Sequence, residues 1–327
     1  MKFLLIVNPV SGPKNNSDRI ASEVETRIKD AGHDIVTRIT EKPGDGGRFA
    51  REALSEDFDA VIACGGDGTV NEVGVALLGS KMPLGIVPNG SGNGLARELR
   101  IPMAVDKAVN VLLRNERMRI DTCVCNGEPF FITCGTGFDG KVTEAFSKSQ
   151  GRGVVNYISG SVSTYLDYVP GDYRVTIDGT EYSKKAFLVA VGNASQYGNN
   201  AYIAPHASMD DGLLNVTVIK DFPKDEAGKV AFQLFSGELE ENRYTELYEG
   251  RDILISADAP MLYHIDGEPR PATQKLQISV IPDNLTVFVG REEDREKNIF
   301  DFFNDVSGAF QKMEDDIRSF FNPDLQD

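Results

Sequence analysis

Positive charge is what this sequence is short of: 34 Lys and Arg stand against 50 Asp and Glu, a formal net charge of −16. A protein that neutralises backbone phosphates needs a basic surface, so the deficit argues against nucleic acid as a partner. It argues equally against broad adsorption to an anionic membrane, so any contact with a lipid surface must be local. No stretch offers the ~20 uninterrupted apolar residues that a membrane-crossing helix requires. The apolar run at residues 3–7 is cut by Asn8-Pro9, with no small-residue cleavage site after it, and reads as a buried strand rather than a secretion signal. Cysteines 64, 123, 125 and 134 lack paired zinc spacing and read as free thiols of a cytosolic protein. Histidines 33, 206 and 264 show no ligand spacing, so no zinc is expected. Repeats and low-complexity runs are lacking too. What remains is 327 residues, 41% hydrophobic and 26% charged, with room for two domains and sizeable cores.

The most informative stretch is residues 60–73, AVIACGGDGTVNEV, where an apolar run breaks at three glycines around one aspartate and resumes at helical spacing. It reads as strand, tight loop and helix. Gly65, Gly66 and Gly68 allow close approach of backbone to ligand, and the amides opening the next helix suit phosphate. Asp67 would repel a phosphate directly, so its expected task is to hold a cation, Mg²⁺ through water, that contacts the phosphates. The plain alternative is a βα turn with a solvated Asp.

The spacing predicts four βα-type strands at residues 3–7, 35–39, 60–65 and 83–87, each ending in a loop rich in Gly, Ser, Thr, Asn or Pro. The first helix is expected to be capped by Ser17 and to bury Ile20, Val24 and Ile28. In an open parallel sheet such loops converge on one ligand site. From about residue 117 the alternation stops, and short strands with NG and DG turns indicate a sandwich-like second domain. Helical patterns interrupt it at residues 141–146, 154–168 and 224–235. The expected division is 1–116, 117–290 and a tail, 291–327. In the tail, Phe303, Val306, Phe310, Met313, Ile317 and Phe320 recur at spacings of three and four, so residues 292–321 should form an amphipathic helix. Docking on the first domain is its default, and helix pairing in a homodimer the runner-up.

GGDGTVNEV, together with NPVSG at residues 8–12 and PNGSGNGLAR at 88–97, resembles the catalytic domain of the diacylglycerol kinase and sphingosine kinase superfamily, in particular its soluble bacterial lipid kinases. The resemblance covers roughly residues 1–290. It implies an α/β nucleotide-binding domain of NAD kinase and phosphofructokinase type, a β-sandwich-like second domain, and an active site between them. It also implies ATP as co-substrate, Mg²⁺ as cofactor, a role in lipid and phospholipid metabolism, and a cytoplasmic protein touching the membrane peripherally. Asn8, Pro9, Val10, Ser11, Gly12, Thr40, Gly65, Gly66, Asp67, Gly68, Thr69, Val70, Asn71, Glu72 and Ser91 fall where the family contacts the nucleotide. Asp67 falls where it organises Mg²⁺. A kinase also needs a carboxylate to take the hydroxyl proton. Asp266 and Glu268, two apart in an expected extended segment, can face one side. The family pattern DGE matches them, with Asp266 as base and Glu268 toward Mg²⁺, or the reverse. A type I′ hairpin turn with solvated acids is the plain alternative. Asp121 matches a further acidic position near the acceptor. Ser208, Asp211 and Leu213 match a second Mg²⁺ or Ca²⁺ site, built from one carboxylate and two backbone carbonyls.

One departure stands out. Many bacterial relatives carry Asn-Asp where this chain has Asn93-Gly94, which resembles the sphingosine kinase version of the loop. A diacylglycerol-type acceptor is the first expectation and a sphingoid base the second. An NAD kinase is a rival reading, against which NPVSG and the separate DGE count. A non-catalytic lipid- or nucleotide-binding regulatory protein is the rival of another class.

Overall fold

The computed structural model describes residues 1–12, 16–148, 168–198, 201–223 and 226–295. β1 (Lys2–Val7), β3 (Ala60–Gly65) and β4 (Leu84–Pro88) are nearly continuous apolar runs, buried on both faces. β2 (Asp34–Ile39) lies at the edge and stays partly exposed. These strands pair in parallel in the order β2-β1-β3-β4. α1 (Ser17–Asp30) packs beside α5 (Val105–Arg114), and α2 (Asp45–Ala53) beside α3 (Asp67–Leu77). α4 (Gly94–Glu98) is a short turn of helix after β4. Ile20, Val24 and Ile28 are buried, as their spacing predicts. Ser17 does not cap α1: Asn16 holds the cap position, and the Ser17 hydroxyl donates to the Pro9 carbonyl (3.2 Å), tying the helix to the 8–11 loop.

The second domain contains β5 (Arg117–Cys125), β6 (Glu128–Phe130), β7 (Thr133–Gly137), α6 (Phe138–Lys148), β8 (Gly171–Ile177), β9 (Thr180–Gly192), β10 (Leu214–Lys220), α7 (Ala227–Ser236), β11 (Thr245–Gly250), β12 (Asp252–Ile265) and β13 (Glu268–Phe288). Inward residues of β5 to β10, β12 and β13, among them Cys125, Val175, Val191, Val216, Ile255, Ile265 and Ile278, enclose one core. This is the sandwich-like architecture expected from the turns. β12 and β13 are long strands where the turns predict short ones. Their registers shift between Ser256 and Met261 and between Ile281 and Leu285, and these irregularities interrupt the alternation.

The two domains share one sheet, ordered β11-β10-β9-β7-β12-β13-β4-β3-β1-β2, with β5, β6 and β8 off that path. β13 runs antiparallel to β5, and its Val287 pairs in parallel with Leu84 of β4. Leu285, Val287 and Phe288 are fully buried in the core of the first domain. The end of β13 thus pairs with the sheet of the first domain and packs in its core. Beyond it, Arg291 pairs with Glu116 and Arg114 with Asp294, fastening residues 291–295 to the domain junction. The tail helix lies, past residue 295, outside the described residues, as does the 154–168 helix except for its last residue.

Candidate active site

The carboxyl ends of β1, β3 and β4 are neighbours, so the loops that follow them meet. Asn8 N–H donates to the Cys64 carbonyl (3.0 Å), and Asn89 N–H to the Gly65 carbonyl (2.8 Å), extending the sheet one residue into the loops. The Asn8 side chain donates to Thr69 Oγ1 (2.9 Å), Gly66 N–H to Ser11 Oγ (3.4 Å), and the Asn89 side chain to the Ser11 carbonyl (2.9 Å). NPVSG, GGDGT and PNGSGNG thus form one cradle. A Cβ at Gly90 would fall 2.6 Å from the Gly66 Cα, so only glycine lets these two backbones touch.

Within the cradle the predicted residues divide. Val10 projects into solvent at 79% exposure, while Val70 faces the core. Ser91 is exposed and Thr40 buried. Glu72 accepts from Gly44 N–H (2.9 Å), fastening the 40–44 loop to α3. Asp45 accepts from Glu41 N–H (2.9 Å) and Lys42 N–H (3.1 Å). The Glu41 amide, then the Arg48 guanidinium, hold its carboxyl down to about 2. Asp67 accepts from Asn93 N–H (2.8 Å) and Gly94 N–H (2.7 Å), so its carboxylate seats the start of α4. Gly94 has no room for a side chain: a Cβ would fall 2.8 Å from Ile132 Cδ1 and 3.1 Å from the Tyr197 carbonyl oxygen. The missing carboxylate at 94 follows from the close approach of the second domain.

Asp266 stands at the turn between β12 and β13. Asp266 (φ 46°) and Gly267 (φ 77°) are both left-handed, a type I′ hairpin. The extended segment expected at DGE is not there, and the two-residue spacing does not align the carboxylates. Glu268 is exposed, whereas Asp266 accepts from the backbone N–H groups of Phe131 (3.0 Å), Ile132 (2.8 Å) and Thr133 (3.1 Å). Its fourth partner is the Asn71 side chain of α3, at 3.2 Å. Burial raises its pKa, the three amides oppose the rise, and the charge of Asp67 adds to it. The turn is therefore no solvated hairpin but a carboxylate carried from the second domain onto the helix that follows GGDGT.

Asp121, which the resemblance sets near the acceptor, is held by backbone amides. Only 2% exposed, it accepts from Gly212 N–H (2.6 Å) and Asp283 N–H (2.9 Å), and its own N–H donates to the Met209 carbonyl (2.6 Å). Each oxygen holds one loop amide, so the side chain clamps the 209–212 loop to the irregularity in β13. In the same loop Asp211 accepts from Leu213 N–H (2.8 Å), and Ser208 donates to Asp210 (2.6 Å). Among the described residues no three His, Cys, Asp or Glu side chains converge as a ready-made metal site.

Sequence reasoning missed a trio behind the Asp266 turn. Gly267 N–H donates to His264 Nδ1 (3.3 Å), which leaves the ring proton on Nε2, 3.2 Å from Asp139 Oδ2. The Tyr197 hydroxyl donates to the same oxygen (2.5 Å). His264, two residues before Asp266, was the one available signal. Asp139 and Tyr197 are distant in sequence.

Comparison with known proteins covers both domains. Residues 2–125 match the diacylglycerol kinase catalytic domain, and residues 133–289 the YegS C-terminal NAD kinase beta sandwich-like domain. Proteins named "Probable lipid kinase YegS-like" from Yersinia pestis and Yersinia pseudotuberculosis are 31% identical over 289 residues, 85% of this chain and 94% of theirs. A crystal structure of a diacylglycerol kinase from Bacillus anthracis superposes with a TM-score of 0.70 at 25% identity, over 88% of this chain and 97% of that one. With a catalytic domain and a sandwich-like domain in the same order, and identity spread across both, the chain belongs to the YegS-like lipid kinases of the diacylglycerol kinase family.

Proposed function

We propose that this chain transfers the γ-phosphoryl group of ATP to a lipid hydroxyl, a diacylglycerol-type alcohol first and a sphingoid base second. The observation that carries the proposal is the placement of Asp266. A carboxylate whose pKa is raised by burial sits on Asn71, four residues after the aspartate of the phosphate loop. Such a group accepts the proton of an attacking hydroxyl more readily than a solvated one once the Asn71 amide leaves Oδ2, because three backbone amides and Asn71 together occupy its four lone pairs. The amides of 131–133 fix its direction, and Asn71 ties it to the helix whose amino end faces the phosphates. Phosphoryl transfer asks the protein for positioning and charge stabilisation more than for covalent chemistry. The cradle of residues 8–12, 65–72 and 89–93 provides the first.

Mg²⁺, when bound, would neutralise charge on the phosphate oxygens. Asp67 fits a water-mediated contact to it: each carboxylate oxygen already accepts one amide and keeps one lone pair. Glu268, exposed beside the base turn, is the second acid proposed for it. The carbonyls of Ser208 and Leu213 with the remaining oxygen of Asp211 would hold a second hard cation. Among the described residues no helix is long and apolar enough to cross a membrane, which accords with a protein that meets its lipid at the bilayer surface. Radiolabelled ATP with Mg²⁺ and a panel of diacylglycerol, monoacylglycerol, sphingosine and phosphatidylglycerol in mixed micelles tests the reading. Label should enter diacylglycerol fastest. Incorporation into none of the panel would sink the kinase reading, and preference for sphingosine would reverse the order of acceptors.

A further inference from the structure

Three arginines converge on one cavity in a chain that carries a formal net charge of −16. Arg97 comes from α4, Arg100 from the turn after it, and Arg295 from the segment that follows the 3₁₀ turn Glu292–Asp294. Ile101 lines one side, and Gln196 and Tyr202, joined by an antiparallel bridge, bring the second domain to the other. The cavity measures about 50 Å³. A single water requires only ~10–15 Å³ on this measure, so the space suits one tetrahedral oxyanion and is too small for a nucleoside. None of the cradle residues 8–12 or 65–72, and no part of the base turn, contributes to its wall.

The nearby acids do not account for the cluster. Glu292 reaches Arg100 Nε (3.1 Å) and Arg295 Nε (3.4 Å), but its side chain is 69% exposed, and pairs so open to water contribute little. Glu98 is held by the N–H (3.2 Å) and hydroxyl (2.7 Å) of Ser195, not by an arginine. Burial raises its pKa in spite of the charges of Arg295 and Arg100. Arg97 gives its Nε to the Gly92 carbonyl (3.1 Å). Among the described residues its terminal nitrogens have no partner. Each guanidinium offers a planar fork that matches phosphate. Arg100 also holds a left-handed backbone (φ 57°), which a side chain of its kind rarely adopts.

We propose that this cavity is a phosphate-binding site separate from the nucleotide cradle, taking either inorganic phosphate or the phosphate group of an anionic lipid. Bound there, the anion joins α4 to the 196–202 bridge across the domain interface. Through Arg97 and Gly92 it also reaches the loop whose next two amides hold Asp67.

The test is equilibrium dialysis of the full chain against radiolabelled inorganic phosphate, with and without a saturating non-hydrolysable ATP analogue. One saturable site per chain, not displaced by the analogue, is expected. Arg100→Gln with Arg295→Gln should weaken it by at least about tenfold, since even one lost charge-assisted hydrogen bond accounts for that much. Turnover at saturating ATP should change little. If the double variant does not melt cooperatively, Arg295→Gln alone, at an exposed position, carries the same expectation. Sedimentation with phosphatidylcholine vesicles containing phosphatidic acid separates the sources. Arginine-dependent sedimentation identifies the lipid, and dialysis binding without it identifies the free ion. Displacement by the ATP analogue, affinity unchanged in the variants, or no saturable phosphate binding together with no arginine-dependent sedimentation would each overturn the proposal.

Discussion

On the role proposed for Asp266, its replacement by Asn removes proton acceptance and leaves the shape of the turn. In the variant the side-chain oxygen keeps the amides of Ile132 and Thr133, and the new NH₂ faces Phe131 N–H and the Asn71 amide. Asn71 can turn over and accept; Phe131 cannot. One unsatisfied amide costs ~1–3 kcal/mol, and the neutral side chain recovers part of it, escaping the desolvation and the Asp67 repulsion that raise the carboxyl's pKa. The net loss should be about 1 kcal/mol, or ~2 °C in Tm for a chain of this size. Turnover should fall roughly 10²- to 10⁴-fold, the usual contribution of a positioned base. ATP affinity should hold, because Asn8, Ser11, Gly66 and Asp67 keep their contacts. The assays are kcat on the best lipid in mixed micelles and calorimetric titration with the ATP analogue. Wild-type kcat should rise with pH through the raised pKa of Asp266 and then level off, whereas the residual rate of the variant should lack that rise. A variant with kcat within about threefold of wild type, on a lipid the wild type uses well, refutes the assignment.

Asp121→Ala should leave the Gly212 amide buried without a partner and cost about 1–3 kcal/mol in denaturant melts, while the folded fraction keeps its turnover. A kcat collapse with unchanged stability would return Asp121 to the chemistry. Gly94→Asp should push Ile132 and Tyr197 off α4 and lower both Tm and activity, and an unchanged melting curve would show that the domains yield there freely. Glu98 keeps a proton in the folded state that the unfolded chain has released, because burial raises its pKa from 4.5. Stability should therefore fall as pH climbs from that unfolded value through the folded one. Glu98→Gln should flatten this slope, and parallel pH profiles for variant and wild type would count against it.

The parts legible in advance were those where one residue type has one physical use. Continuous apolar runs such as residues 3–7 and 60–64 place the central strands, and the three glycine-rich motifs lie together because consecutive parallel strands end side by side. The type I′ geometry at Asp266-Gly267 was on the page as a DG turn, yet the amides that hold and orient Asp266 come from residues 131–133, which no local pattern connects to it. Asp121 is similar. A lone acid in a strand reads as structural and only the resemblance sets it near the acceptor, and the amides it holds come from residues 212 and 283, which no local pattern connects to it. Asp67 pairs with Asn93 and Gly94 through the fold, a use that the repulsion argument at the phosphate loop does not foresee.

The return of β13 to the first domain also bears on how the chain is made. Synthesis delivers β1 to β4 early, but the strand that lies beside β4 comes from residues near Val287, after almost the whole second domain. Until then the β4 edge presents open backbone donors and acceptors, and the core that will hold Leu285, Val287 and Phe288 has a missing wall. Contacts so far apart in sequence form slowly. The nascent first domain thus waits, sticky and unfinished, and residues 1–125 released alone would be prone to aggregate.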